Sequence, residues 1–237
     1  MSELGQDDPR VHNALQSAID SGDLEDEDAG LAYSALGSCW HAIGEQTKAR
    51  NVLTKAIRLS EDPARLALTH HELGETYFAM EKEDQAEEHF RKSLASDRQH
   101  NFAPDTLLLL GRVVYMRVEQ EDDLQLVEEC YGFFDEAVAM LESPDSAKYG
   151  DFFSRSKTLF DLYTSKATCK AVMPSDNERF EAARYFEQAE QIALEHPETI
   201  TRQELQNVYL DWAELYKGMG LEREVELVLD RVKRNLD

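Results

Sequence analysis

The sequence predicts an all-α protein made of antiparallel helix hairpins, and three observations predict it. Leu, Glu and Ala are the commonest residues of a chain of 237 with only 6 Pro and 11 Gly, the usage of side chains that lose little entropy in a helix. Apolar residues recur at three and four, as in Leu53, Ala56 and Ile57 or in Leu68, Leu73 and Tyr77, which lays one apolar stripe along each helix. Helix-start signals return often enough to leave only short joints: Asp62 before Pro63, Ser143 before Pro144, Ser175 with Glu178, and Thr201 with Glu204. A hydrophobic fraction of 42%, with 9% aromatic, suffices for a packed core.

Taken in order, Asp8 and Pro9 open a short helix over 9–20 with Val11, Leu15 and Ile19 on one face, and the run GDLEDEDAG at 22–30 reads as an acidic connector. Five hairpins follow: 28–43 with 46–60, 63–80 with 82–97, 104–118 with 121–142, 145–172 with 176–195, and 201–218 with 221–236. The first helix of the fourth hairpin is overlong, and the helix at 221–236 is placed to cap the series. No long linker or low-complexity stretch interrupts the chain, so residues 1–29 are expected to be an N-terminal helix and connector and 30–237 one repeat domain.

The hairpins are related in sequence. Leu36-Gly37-x-x-Trp40 aligns with Leu73-Gly74-x-x-Tyr77 at an offset of 37 residues (73 − 36). Ala49, Leu53 and Ala56 follow the first, and Ala86, Phe90 and Ser93 follow the second. A glycine beside a large residue lets the second helix come close, and the aromatic fills what space is left. Leu110-Gly111 starts a third copy in which Val114, Asp123 and Cys130 stand in place of an aromatic and two small residues. Ala182, Phe186 and Ala189 recover the pattern in the fourth hairpin, and Tyr209, Trp212, Ala213, Tyr216 and Gly220 follow it loosely in the fifth.

On these residues the chain resembles the tetratricopeptide repeat family, well over 31–97 and more loosely over 176–235. The resemblance implies a right-handed superhelical stack of hairpins whose first helices line a concave groove for a peptide or a helix. Carried over by register, the groove takes Ser34, Ser38 and His41 from the first hairpin, His71, Glu75 and Phe78 from the second, Arg112, Tyr115 and Met116 from the third, and Glu214 and Lys217 from the last. Chaperone-binding members hold a terminal carboxylate with Lys, Asn and Arg. The matching positions here are Ser34, Ser38, Glu72, Asp105 and Leu109, so that clamp is missing. An acidic, all-helical chain of this length is also similar to the 14-3-3 class of phosphopeptide binders, but no run of Lys and Arg with Tyr matches that family's phosphate site.

Charge narrows the partners. With 48 acidic against 25 basic residues the formal net charge is −23, which repels a phosphate backbone and removes the counterion release that drives nucleic-acid binding. A basic partner is one reading of this acidity, and solubility or salt adaptation are the others. The longest apolar run, Leu107 to Leu110, is far too short to span a bilayer, and the N-terminus has no basic or apolar leader segment. Cys39, Cys130 and Cys169 are odd in number, far apart and in no paired spacing, which suggests neither a disulfide framework nor a zinc site but small core residues, and a soluble cytoplasmic protein is expected.

Chemistry-bearing constellations are few. His71-Glu72-Leu73-Gly74-Glu75 approaches the H-E-x-x-H zinc motif but ends in Glu, and no third ligand motif follows. Pairs such as Asp122-Asp123 and Glu128-Glu129 read as solvated helix faces. The sequence thus points to a non-catalytic protein-interaction module, an adaptor, scaffold or chaperone-like protein, with no cofactor. The alternatives are a self-assembling oligomer and, behind it, a metal-dependent enzyme around His71, Glu72 and Glu75.

Overall fold

The computed structural model describes residues 9–121 and 123–236, and Asp8 and Asp122, which entered the reading above, lie outside them. Their regular structure is entirely helical: α1 Pro9–Ser21, α2 Asp26–Ala42, α3 Gln46–Leu59, α4 Pro63–Ala79, α5 Glu83–Ser96, α6 Ala103–Glu121, α7 Leu124–Glu142, a 3₁₀ turn Ser146–Tyr149, α8 Phe152–Ala171, α9 Asp176–Glu195, α10 Arg202–Gly218 and α11 Glu222–Leu236. The helices follow one another in the predicted order. They gather into two compact units that divide within α6, between Val113 and Val114. In the first, α1 packs on α2, α2 pairs with α3, α3 meets α4, α4 pairs with α5, and α2 touches α4. In the second, α7 meets α8, α8 pairs with α9, α9 meets α10, and α10 pairs with α11.

Local chemistry sets the boundaries, and in three places it corrects the sequence reading. Asp62 caps α4 by accepting the Arg65 amide at 2.9 Å, with Pro63 in the first turn. Thr201 and Glu204 form a reciprocal capping box on α10. Ser175 occupies the N-cap position of α9 without a side-chain cap bond, and Glu178 faces Lys170 instead, 3.6 Å away. The overlong helix expected over 145–172 is broken. Ser143 ends α7, its hydroxyl donating to the Met140 carbonyl, and Gly150 at φ +105° separates the 3₁₀ turn from α8, which Asp151 caps through the Ser154 amide. The acidic connector is shorter than 22–30, because Asp26, Glu27 and Asp28 occupy the first turn of α2, where carboxylates suit the helix dipole.

The repeat residues pack as their types require. A Cβ built on Gly37 would lie 2.4 Å from Leu53 Cδ2, and one on Gly74 would lie 2.6 Å from Phe90 Cδ1. Only hydrogen fits where the second helix of each hairpin crosses the first. Trp40 and Tyr77, both half-buried, pack on the cluster of Ala49, Leu53 and Leu73. In the degenerate copy Val114 and Cys130 are fully buried at 0% exposure, while Asp123 has left the packing role and caps α7 through the Gln125 amide at 2.8 Å. In the second unit Phe186 of α9 stacks on Trp212 of α10 with centroids 6.1 Å apart.

Candidate peptide-binding groove

The first helices of the first unit meet through polar pairs whose members are 35 residues apart. Ser34 Oγ lies 3.2 Å from Thr69 Oγ1, His41 Nδ1 lies 3.4 Å from Thr76 Oγ1, and His71 Nδ1 lies 2.8 Å from Thr106 Oγ1. Each partner stands two residues before the position that the 37-residue repeat makes equivalent, and this seam of contacts is hydroxyl and imidazole rather than aliphatic. Thr69, Thr76 and Thr106 also return hydrogen bonds to the carbonyls of Arg65, Glu72 and Phe102, which satisfies them inside their own helices.

Glu72 of α4 sits at the centre of this seam. Its carboxylate accepts the Ser34 hydroxyl at 2.9 Å and the Ser38 hydroxyl on its other oxygen. Burial raises its pKa to about 7, against the lowering pull of the two serine hydrogen bonds. Glu75, one turn further on, is raised to about 7 as well, first by burial and then by the charges of Glu72 and Asp105. His71 on the same helix is 4% exposed and is held neutral, its pKa lowered by burial to about 3. With Thr106 donating to Phe102, the His71 Nδ1–H points at Thr106 and its Nε2 faces Glu75 at 3.5 Å.

A cleft of about 300 Å³ opens beside Glu72 between α1, α2 and α4. Val11, Leu15, Leu31 and Leu68 make apolar walls, and Ser34, Ser38, Cys39 and Glu72 line the rest. α1 is held over it by packing on α2, where the His12 ring meets Trp40 edge-on at 4.1 Å.

The groove residues expected from register divide between the two units. Ser34, Ser38, His41, His71 and Glu75 gather along the polar seam of the first unit, with Ser34 and His71 turned inward between helices rather than outward. Phe78 and Arg112 are half-buried in the same unit. Tyr115 and Met116 belong to the second unit, as do Glu214 and Lys217, which are exposed on α10. Glu72, Thr69, Leu31 and Leu68 were not among the expected groove residues. The sequence shows a repeat offset of 37, and a period does not say which side chains face each other. The two halves of the apparent metal motif part company: His71 turns to α6 and Glu72 to α2.

Lys and Tyr do converge in the second unit, a feature absent from any short run of sequence. Lys166 lies 4.5 Å from the Tyr185 ring centre and 5.0 Å from that of Tyr131, Lys170 lies 4.5 Å from the Tyr131 ring, and the two tyrosine hydroxyls are 2.7 Å apart. Both lysines are already neutralised, Lys166 by Asp135 at 2.7 Å and Lys170 by Glu181 at 3.3 Å and Glu178 at 3.6 Å. The cluster ties α7, α8 and α9 together and offers no spare charge to a phosphate.

Successive antiparallel hairpins, with a glycine where α2 crosses α3 and where α4 crosses α5, define an α-helical repeat protein. Residues 67–100, most of α4 and all of α5, match the family model described as Tetratricopeptide repeat. Solved structures agree on the fold. YrrB, described as a TPR protein with an unusual peptide-binding site, aligns with TM-score 0.61 at 17% identity, over 94% of this chain and 93% of its own. BtubC (BKLC) from P. vanneervenii aligns with TM-score 0.61 at 20% identity, over 93% and 90%. PilW, described as a widely conserved type IV pilus biogenesis factor, gives TM-score 0.61 at 13% identity, over 95% and 86%. No curated protein matches the sequence. Among the described residues no helix is long and apolar enough to cross a membrane.

Proposed function

We propose that this chain is a non-catalytic protein-interaction module that holds a peptide segment of a partner along the first helices of its hairpins. The observation that carries the proposal is the cleft beside α2 and α4, in which apolar walls flank a small set of polar groups, the usual composition of a recognition site. TPR folds are typically non-catalytic, and one structural neighbour is described by its peptide-binding site, which supports the same reading. In this reading Ser34, Ser38, His41, Glu75, Phe78 and Arg112 border the bound segment on the first unit, Tyr115, Met116, Glu214 and Lys217 are recognition positions of the second unit by itself, and no cofactor or nucleic acid takes part. The partner is basic, to suit a net charge of −23, and the setting is the reducing cytoplasm, where Cys39, Cys130 and Cys169 stay buried as free thiols.

Selection of random twelve-residue peptides on the immobilised full-length protein tests this. A family of related peptides that no longer binds Phe78→Ala or Glu75→Lys protein is the expected result, and failure to retain any related family refutes it. Self-assembly is the second reading, favoured by Leu210, Leu227 and Leu229 of the last hairpin, which are 56%, 56% and 45% exposed. Light scattering decides it, since a monomer at every concentration removes the oligomer.

A further inference from the structure

The geometry points to a lysine-recognition pocket: the cleft between α1, α2 and α4 takes the side chain of a lysine from the bound peptide, with its ammonium on the Glu72 carboxylate. This inference rests on the peptide-binding reading above and names the residue type that the site selects.

Three observations converge on it. First, the cleft has the shape for a long amphipathic side chain. Its volume of about 300 Å³ is at the small end for a ligand pocket, and Leu31 and Leu68 offer apolar surface on which an aliphatic stem can lie. Second, among the described residues of its lining the only charged group is Glu72, and no cation among the described residues pairs with it. Among the described residues the carboxylate's partners are the Ser34 and Ser38 hydroxyls. A carboxylate withdrawn from water without an opposite charge is costly, and a cation entering the cleft removes that cost. Third, the serines decide which cation. Each hydroxyl takes one lone pair of one carboxylate oxygen, and a compact ammonium needs fewer of those that remain than the two parallel bonds of a planar guanidinium.

Two other clusters were weaker candidates. The Lys166 and Lys170 cluster is internally neutralised, and nothing indicates what would cover the exposed leucines of the last hairpin.

The test uses the full chain and the peptides selected on it. Their sequences are expected to share a lysine, and replacing that lysine with acetyl-lysine should weaken binding on the order of ten-fold or more, the weight of a charge-assisted hydrogen bond. Arginine at the same place should bind less well than lysine. Glu72→Gln protein, checked by its melting curve, should bind the lysine and acetyl-lysine peptides equally. Leu31→Ala, in an exposed wall of the cleft, should weaken the lysine peptide without changing the fold. Selected peptides that share no lysine, that accept arginine equally, or that keep a full lysine preference on Glu72→Gln protein would overturn the lysine pocket while leaving the peptide-binding reading intact. A protein that selects no peptide family at all would overturn both.

Discussion

Two glycines carry the packing of the first unit, and their side-chain-free surfaces make opposite predictions from glycines elsewhere. At Gly74 an added methyl meets the Phe90 ring at 2.6 Å, and Phe90 is 0% exposed and cannot swing away. Gly74→Ala should therefore destabilise the protein by about 1–3 kcal/mol, the usual cost of overpacking, even though alanine is the better helix former. Gly132, inside α7, has nothing within 4 Å of its built Cβ, so Gly132→Ala should stabilise by roughly 0.5–1 kcal/mol. Thermal unfolding of the two variants checks both signs. Gly37, Gly74 and their aromatic companions were legible in the sequence because a motif repeated at one offset states its own packing. Glu190 was not. It lies 6% exposed and accepts hydrogen bonds from Tyr209 at 2.7 Å, Asn235 at 3.1 Å and Arg231, partners 19 to 45 residues away that no local pattern announces.

At the scale of elements, helix ends were legible where a cap is made by its own side chain and illegible where tertiary partners intervene. Thr201→Ala should cost ~1 kcal/mol, because its hydroxyl completes a capping box, while Ser175→Ala should change stability little, because Glu178 is drawn to Lys170 and the box never closes. The pair can be measured by urea unfolding. The fourth hairpin's break at Gly150 was missed for a related reason: apolar periodicity runs on either side of it, and the left-handed glycine that separates the segments is read only in three dimensions.

Helix α4 carries both signs of pH dependence. Glu72 and Glu75 are raised from 4.5 to about 7, so between these values the folded chain keeps protons that the unfolded chain has released. Their contribution to stability is present below about 4.5 and lost as pH rises through 7. The histidines act in the opposite sense. His71 is lowered from 6.5 to about 3, and His70 and His100 to about 4, so stability falls as pH drops from 6.5 into that range. Above pH 6.5 only the carboxylates contribute. Glu72→Gln should thus flatten the decline between pH 6.5 and 8 and gain roughly 1–3 kcal/mol at pH 8, with less gain at pH 5. Unfolding midpoints across that range test it.

For the whole molecule, helix number and order were legible because an apolar stripe and a start signal recur along the chain, and the crossing glycine repeats in the first two hairpins. What composition left open was the use of the acidity. A net charge of −23 predicts no measurable retention on a DNA column at 100 mM salt, since there is no basic stripe to release counterions. The structure adds that one of those carboxylates, Glu72, is withdrawn into a cleft beside the first helices, where charge becomes selectivity rather than solubility. The central claim is that partners dock on that face, and chemical-shift mapping of the full chain with a selected peptide tests it most directly. Shifts centred on Leu31, Ser34, Ser38, Leu68 and Glu72 of α2 and α4 are predicted. Shifts confined to α3 and α5, or none at saturating peptide, would contradict it.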